Sequence, residues 1–156
     1  MIAWRIAADT PHYESDDMSG EGAKKEGGRW NSINNALVYS STSRALACLE
    51  TVVHLNAAAL PLNRFLVQIE IPAVVWDART VLDLLTAPVG WDALPEGRAS
   101  IKYGDSWIRS RSSAVLLVPS VAVPEEQNIL INPAHPDAVH IKATKIRKWL
   151  YDSRLA

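Results

Sequence analysis

A glutamate leaning toward an apolar helix face is the residue of this sequence that most needs a chemical reason. Glu50 follows Leu46 by one turn, and at 3.6 residues per turn the two lie about 40° apart. Its carboxylate therefore projects at the edge of a stripe made by Leu46, Leu49, Val53 and Ala57. A carboxylate placed there costs free energy unless it is paired or poised for a reaction; a rim glutamate bent out to water is the structural alternative. Arg29 follows Gly27 and Gly28, a pair that lets backbone approach a ligand, and its planar guanidinium suits bidentate recognition of phosphate or carboxylate. Tyr39 ends a short apolar run just before the glutamate-bearing helix, so that an aromatic ring able to stack on a flat heterocycle lies near the carboxylate.

Other familiar chemistries lack their residues. Gly27-Gly28-Arg29 matches neither the Walker loop nor the strand-to-helix dinucleotide fingerprint, which disfavours NAD binding through a doubly wound fold. His12, His54, His135 and His140 show no metal-ligand spacing, and the prolines at 133 and 136 make the last pair's surroundings extended, so no metal is expected. Ser112, Ser113 and Ser120 have no flanking glycines of a nucleophile elbow; they serve instead as hydrogen-bond donors. The tryptophans at 4, 30, 76, 91, 107 and 149 could line a nucleotide cleft or a partner surface, but core packing accounts for most of them.

The elements that must position these groups are legible in outline. Ile2 to Ala7 reads as a first strand, and the glycine-containing polar stretch from Asp9 to Gly28 as a long loop or short helix. Ala36 to Tyr39 reads as a strand, followed by serines and a threonine suited to cap a helix from about Ser43 to Ala58, with Thr51 and His54 turned away from the core. Arg64 to Ile71 alternates as a half-buried strand closed by Pro72, with Phe65, Val67, Ile69 and Ile71 inward and Leu66 on the opposite side. Asp83 to Leu94 is ambiguous. Ser100 to Ser112 has helical spacing, Ala114 to Val118 is a buried strand stopped by Pro119, Asn128 to Pro133 is another strand, and Val139 to Trp149 supplies one more element.

Length and composition set the class. A chain of 156 residues with 48% hydrophobic and 21% charged residues is that of one soluble globular domain, here 1–156, with several strands and two or three helices in an α+β arrangement. A formal net charge of -1 argues against a surface built to neutralise nucleic-acid phosphates, so direct nucleic-acid binding is not expected. A lone Cys48 suits a reducing compartment, and no stretch has the length of a spanning helix; the expectation is a cytoplasmic protein off the membrane.

Taken in order, Trp4-Arg5-Ile6, Gly27 to Asn31, Val38-Tyr39-Ser40, Ala47 to Glu50, Gly104-Asp105 with Trp107, Val118-Pro119-Ser120 and Asn128 to Pro136 resemble the RES-domain toxin family along nearly the whole chain. The resemblance implies an ADP-ribosyltransferase-like fold with small central β-sheets flanked by helices, and depletion of cellular NAD as the activity. It also implies an Xre-type helix-turn-helix antitoxin that covers the active site. Carried over by motif, the family's arginine falls on Arg29, its tyrosine on Tyr39, its glutamate on Glu50 and its serine on Ser112 or Ser120. On this reading NAD is a substrate, Glu50 steadies the oxocarbenium-like ribose, Arg29 clamps the pyrophosphate, Tyr39 stacks on nicotinamide, and the serine orients Glu50 or the ribose. Hydrolysis or phosphorolysis of the nicotinamide–ribose bond is the first expectation. ADP-ribosylation of a protein is the alternative within the fold, and a non-catalytic partner-binding module the alternative outside enzymology.

Overall fold

The fold is given by a computed structural model that describes residues 1–55 and 60–155. Its organising element is one sheet of seven strands, in the order β4-β5-β6-β2-β1-β3-β7. The strands are β1 (Ile2–Ala8), β2 (Val38–Ser41), β3 (Arg64–Glu70), β4 (Thr80–Val81), β5 (Val115–Pro119), β6 (Gln127–Ile131) and β7 (Lys142–Trp149). All neighbours pair antiparallel except β4 with β5. The helices are α1 (Glu21–Glu26), α2 (Arg44–Val52), α3 (Ala73–Asp77) and α4 (Arg98–Ser110), so the α+β class expected from the sequence is the one found. Among the described residues, no helix is long and apolar enough to cross a membrane.

The uninterrupted apolar run of β5 has a direct physical reason. Val115 and Leu117 join one core with Val67, Ile69, Ile129 and Ile131, while Leu116 and Val118 join a second core with Trp30, Trp91, Trp107 and Leu130. Alternate side chains thus enter opposite layers, and a strand covered on both faces needs no polar side. The tryptophans expected in the core are there in part: Trp30 stacks on Trp91 with ring centroids 6.3 Å apart and meets Tyr103 edge-on at 6.1 Å.

Several boundaries differ from the sequence reading. β2 runs on through Ser40 and Ser41, because both pair with β6, and only Ser43 caps α2, accepting from the Leu46 amide at 3.1 Å. Leu66 is buried, packing with Ile6 and Ala47 beneath α2 in a third small core. That contact also sets the rotation of α2: its buried residues are Leu46 and Ala47, and Val53, expected in the apolar stripe, is 55% exposed just past the helix end. Small Ala47 lets α2 approach the sheet closely, so the face one step round from the expected stripe turns inward. Ala57 and Ala58, the end of the expected helix, lie outside the described residues. The stretch after Pro72, given no element of its own, forms α3, and the polar stretch from Asp9 contains α1.

Candidate functional site

The sheet has one weak seam. β1 registers with β3 along the whole strand from Ile2 to Ala8, yet its register with β2 comprises a single pair, Trp4 opposite Ser41. Away from that point the two strands part, and between them opens a cleft of about 530 Å³, within the range of small-molecule sites. Trp4, Arg5 and Ile6 line it from β1 and Tyr39, Ser40 and Ser41 from β2; Ala47, Glu50, Thr51 and His54 line it from α2 and the turn after it. Thr51 and His54 therefore face the cleft, a consequence of the rotation imposed by Ala47.

Glu50 is held by one of its oxygens. Oε1 accepts from the Ser120 hydroxyl at 2.7 Å and from the Asn128 side-chain amide at 2.6 Å; among the described residues, Oε2 has no partner. Ser120 follows β5, is fully buried, and itself accepts from the Ala122 and Val123 amides, both at 3.1 Å. It stands behind the glutamate and not on the cleft wall. Ser112, the other serine candidate, is exposed near the end of α4, bonded to the Ser110 hydroxyl and away from the cleft residues. Asn128 was not singled out in the sequence; an asparagine opening an apolar strand gave no signal of its partner on α2.

Arg29 reaches the same cleft, but part of its fork is committed. Its Nη1 donates to the carbonyls of Trp91 at 3.0 Å and Ala93 at 2.9 Å, which ties the segment before α4 to the cleft's edge and leaves Nη2 and Nε for an anion. Tyr39 is also braced: its hydroxyl accepts from the Trp30 amide at 3.0 Å and donates to Asn31 Oδ1 at 2.7 Å. Burial pushes the phenol well above its ordinary range, so it is a neutral donor at any working pH. A Cβ on Gly28 would fall 2.7 Å from that hydroxyl, so glycine here makes room for the tyrosine beneath the arginine loop.

A protein-family model described as RES domain matches residues 2–153. The chain belongs to the RES-domain toxin family. It is 62% identical over 97% of its length to a protein named Prs ADP-ribosylating toxin from Sphingobium sp. (strain YBL2), covering 94% of that relative. It is 36% identical to Toxin Res of Photorhabdus laumondii subsp. laumondii, over 99% of this chain and 97% of the relative. Its fold is similar to a chain in the crystal structure of the M. tuberculosis MbcT-MbcA toxin-antitoxin complex, with a TM-score of 0.67 at 17% identity, covering 94% of this chain and 84% of that one.

In this RES-domain toxin the blocks that carried the resemblance divide into those that face the cleft and those that build it. Gly104 and Asp105 build it: a Cβ on Gly104 would fall 1.8 Å from the Trp30 carbonyl oxygen, so α4 touches the arginine loop backbone to backbone. Asp105 receives the Ser32 amide at 3.0 Å, the Ser32 hydroxyl at 2.7 Å and the Asn35 amide at 2.8 Å. Burial pushes its carboxyl up, but these bonds, with the charge of Arg109, outweigh it and hold the group below the ordinary aspartate value. The late Asn-Pro-x-His-Pro block is a corner: buried Asn132 donates to the Ile108 carbonyl at 3.0 Å, and His135 Nδ1 accepts from the Asp137 amide at 3.1 Å.

Proposed function

We propose that this RES-domain toxin takes NAD as its substrate, breaks the nicotinamide–ribose bond beside Glu50, and passes ADP-ribose to a protein. The observation that carries the NAD step is the carboxylate of Glu50, fixed through Oε1 on the wall of the split-sheet cleft with Oε2 turned to no protein donor. In that geometry Oε2 accepts from a ribose hydroxyl. The pair of electrons in the bond from ribose C1′ to the pyridinium nitrogen leaves with nicotinamide, which departs neutral and needs no acid. Positive charge grows on C1′ and the ring oxygen, and the fixed carboxylate stabilises it without reorganising. The free nitrogens of Arg29 hold the pyrophosphate and the Tyr39 ring flanks nicotinamide, so binding energy is used to orient the scissile bond.

The protein acceptor is supported by the 62% identical relative, whose name states that it ADP-ribosylates Prs. This shifts the weight from NAD depletion, the first expectation from sequence, to transfer. Water or phosphate as acceptor is the second reading, favoured by a cleft mouth where Glu26, His54 and Glu96 are exposed to solvent. A bound antitoxin of the Xre type, seated over the cleft in the cytoplasm, belongs to the same reading and draws its support from the toxin-antitoxin complex of similar fold.

The deciding experiment follows the products of NAD by mass spectrometry, using antitoxin-free protein with Prs, with phosphate, and with neither. An ADP-ribose mass on Prs is the expected result. Free ADP-ribose or its phosphate without modified Prs selects the depletion reading, and no loss of NAD in any arm selects the non-catalytic module.

A further inference from the structure

The bonds around Glu50 have a second layer, and it reaches back to the seam of the sheet. Asn128 lies in β6 directly opposite Ser41 in β2, and the Ser41 hydroxyl donates to Asn128 Oδ1 at 2.7 Å. Ser41 is also the residue opposite Trp4, the single register pair that joins β1 to β2. The side chain that braces the Asn128 amide therefore comes from the point where the sheet opens.

We propose that Asn128 is a positioning residue for Glu50, its amide braced in place by Ser41, so that the carboxylate is pinned through Oε1 and offers only Oε2 to the substrate. The inference rests on the NAD reading for its catalytic consequence, but not for its geometry. An amide has one accepting and one donating end; the ionised Glu50 carboxylate only accepts and so assigns the donating end, and the Ser41 hydroxyl donates to the accepting end that remains. Turning the amide over would set Oδ1 against Glu50 Oε1 at about the present 2.6 Å, two acceptors with no proton between them, so the carboxylate excludes that orientation while the Ser41 bond holds the side chain in place. The second donor is fixed in the same way. The Ala122 and Val123 amides occupy the accepting side of the Ser120 oxygen, which leaves its hydroxyl proton for Glu50. Two donors with predetermined directions thus converge on one oxygen, a pre-organisation that a single donor does not supply. Ser41 and Asn128 are both on the cleft wall, and the side-chain bonds they form run to each other and to Glu50, so the role assigned to them is exerted through the carboxylate.

A double-mutant cycle on the antitoxin-free chain tests this. Asn128→Ala should lower the turnover of NAD by about 10-fold with NAD affinity, from calorimetry on the same proteins, within about twofold of wild type. Ser41→Ala should lower turnover by about threefold alone and add nothing in the Asn128→Ala background, since its effect passes through the amide. Multiplying effects in the double variant, or affinity falling in step with turnover, overturns the proposal. Asn128→Asp keeps the shape and the Ser41 bond but replaces a donor by an acceptor; it should be at least as slow as Asn128→Ala, and wild-type turnover in a folded Asn128→Asp protein overturns the proposal too. The geometry has its own readout: the nitrogen-15 and proton resonances of the Asn128 side-chain amide should move in both Glu50→Gln and Ser41→Ala, and amide resonances unmoved in both overturn the relay. If wild-type protein leaves NAD intact, the functional reading fails while these resonances still decide the relay.

Discussion

At the scale of single residues, the proposed NAD cleavage raises the question of why one glutamate would suffice. Cleavage of a cationic pyridinium leaves no charge for an acid to neutralise, so one carboxylate with fixed direction meets the need, and Glu50 has its direction fixed by Ser120 and Asn128. Glu50→Gln keeps the size of the side chain and removes its charge. Its turnover of NAD should fall by about 100-fold or more with NAD affinity largely kept, the pattern of a contact realised in the transition state. Steady-state kinetics beside calorimetry give both numbers; near-wild-type turnover would sink the assignment. Glu50 was legible in the sequence because helical spacing alone sets its lean toward the core. Its two donors were not. Ser120 was one of two serine candidates with nothing in the sequence to choose between them, and Asn128 meets Glu50 only through a cross-strand register that no local pattern encodes.

At the scale of elements, two contacts set the site: α2 against β1, and α4 against the loop that carries Arg29. The first depends on Ala47, which the 3.6-residue period could not choose over Leu49 and Val53 because hydrophobicity ranked it below them; closeness of approach ranked it above. The second depends on Gly104. Gly104→Ala should destabilise the protein by about 3 kcal/mol, since neither the α4 backbone nor the Trp30 carbonyl can yield 1 Å or more without moving the Arg29 loop, and overpacking of this kind typically costs on that scale. Urea unfolding of the purified variant measures it, and a loss under about 1 kcal/mol would show that the loop gives way easily.

Asp105 acts one residue further along α4, and its contribution depends on pH. Its folded value lies below the ordinary aspartate value of about 3.9, so the stabilisation is fully present above that value and is lost as pH falls through the lower folded one. Asp105→Asn turns one acceptor into a donor facing the Ser32 and Asn35 donors. The stability gap between wild type and Asp105→Asn should therefore be widest at neutral pH and narrow below about pH 4. Urea midpoints at pH 7 and pH 3.5 test the sign, and a gap that stays constant removes Asp105 from the acid response.

At the scale of the whole molecule, the sheet is two sets of strands that touch at one register pair. β7, β3 and β1 form one set; β2, β6, β5 and β4 form the other. Helix α2 bridges them, with Ala47 packed on Ile6 and Leu66 of the first and Glu50 bonded to Ser120 and Asn128 beside or within the second. The single-pair seam was hidden from sequence, since strand patterns show which segments pair and not where a pairing stops. A ligand in the cleft touches both sets, so it should tie the halves together, and binding to the folded state alone raises stability by mass action. Glu50→Gln suits the test because, on the proposed mechanism, it leaves NAD largely intact during heating. At a concentration 100 times the dissociation constant, NAD should stabilise this variant by about 2.7 kcal/mol, which for a chain of this length raises the melting temperature by about 5–10 °C. The rise should shrink when Arg29→Ala is added, because the proposed reading gives the pyrophosphate to the Arg29 guanidinium. A melting temperature indifferent to NAD, in protein whose fold is intact by circular dichroism, would show that the folded chain does not bind the dinucleotide.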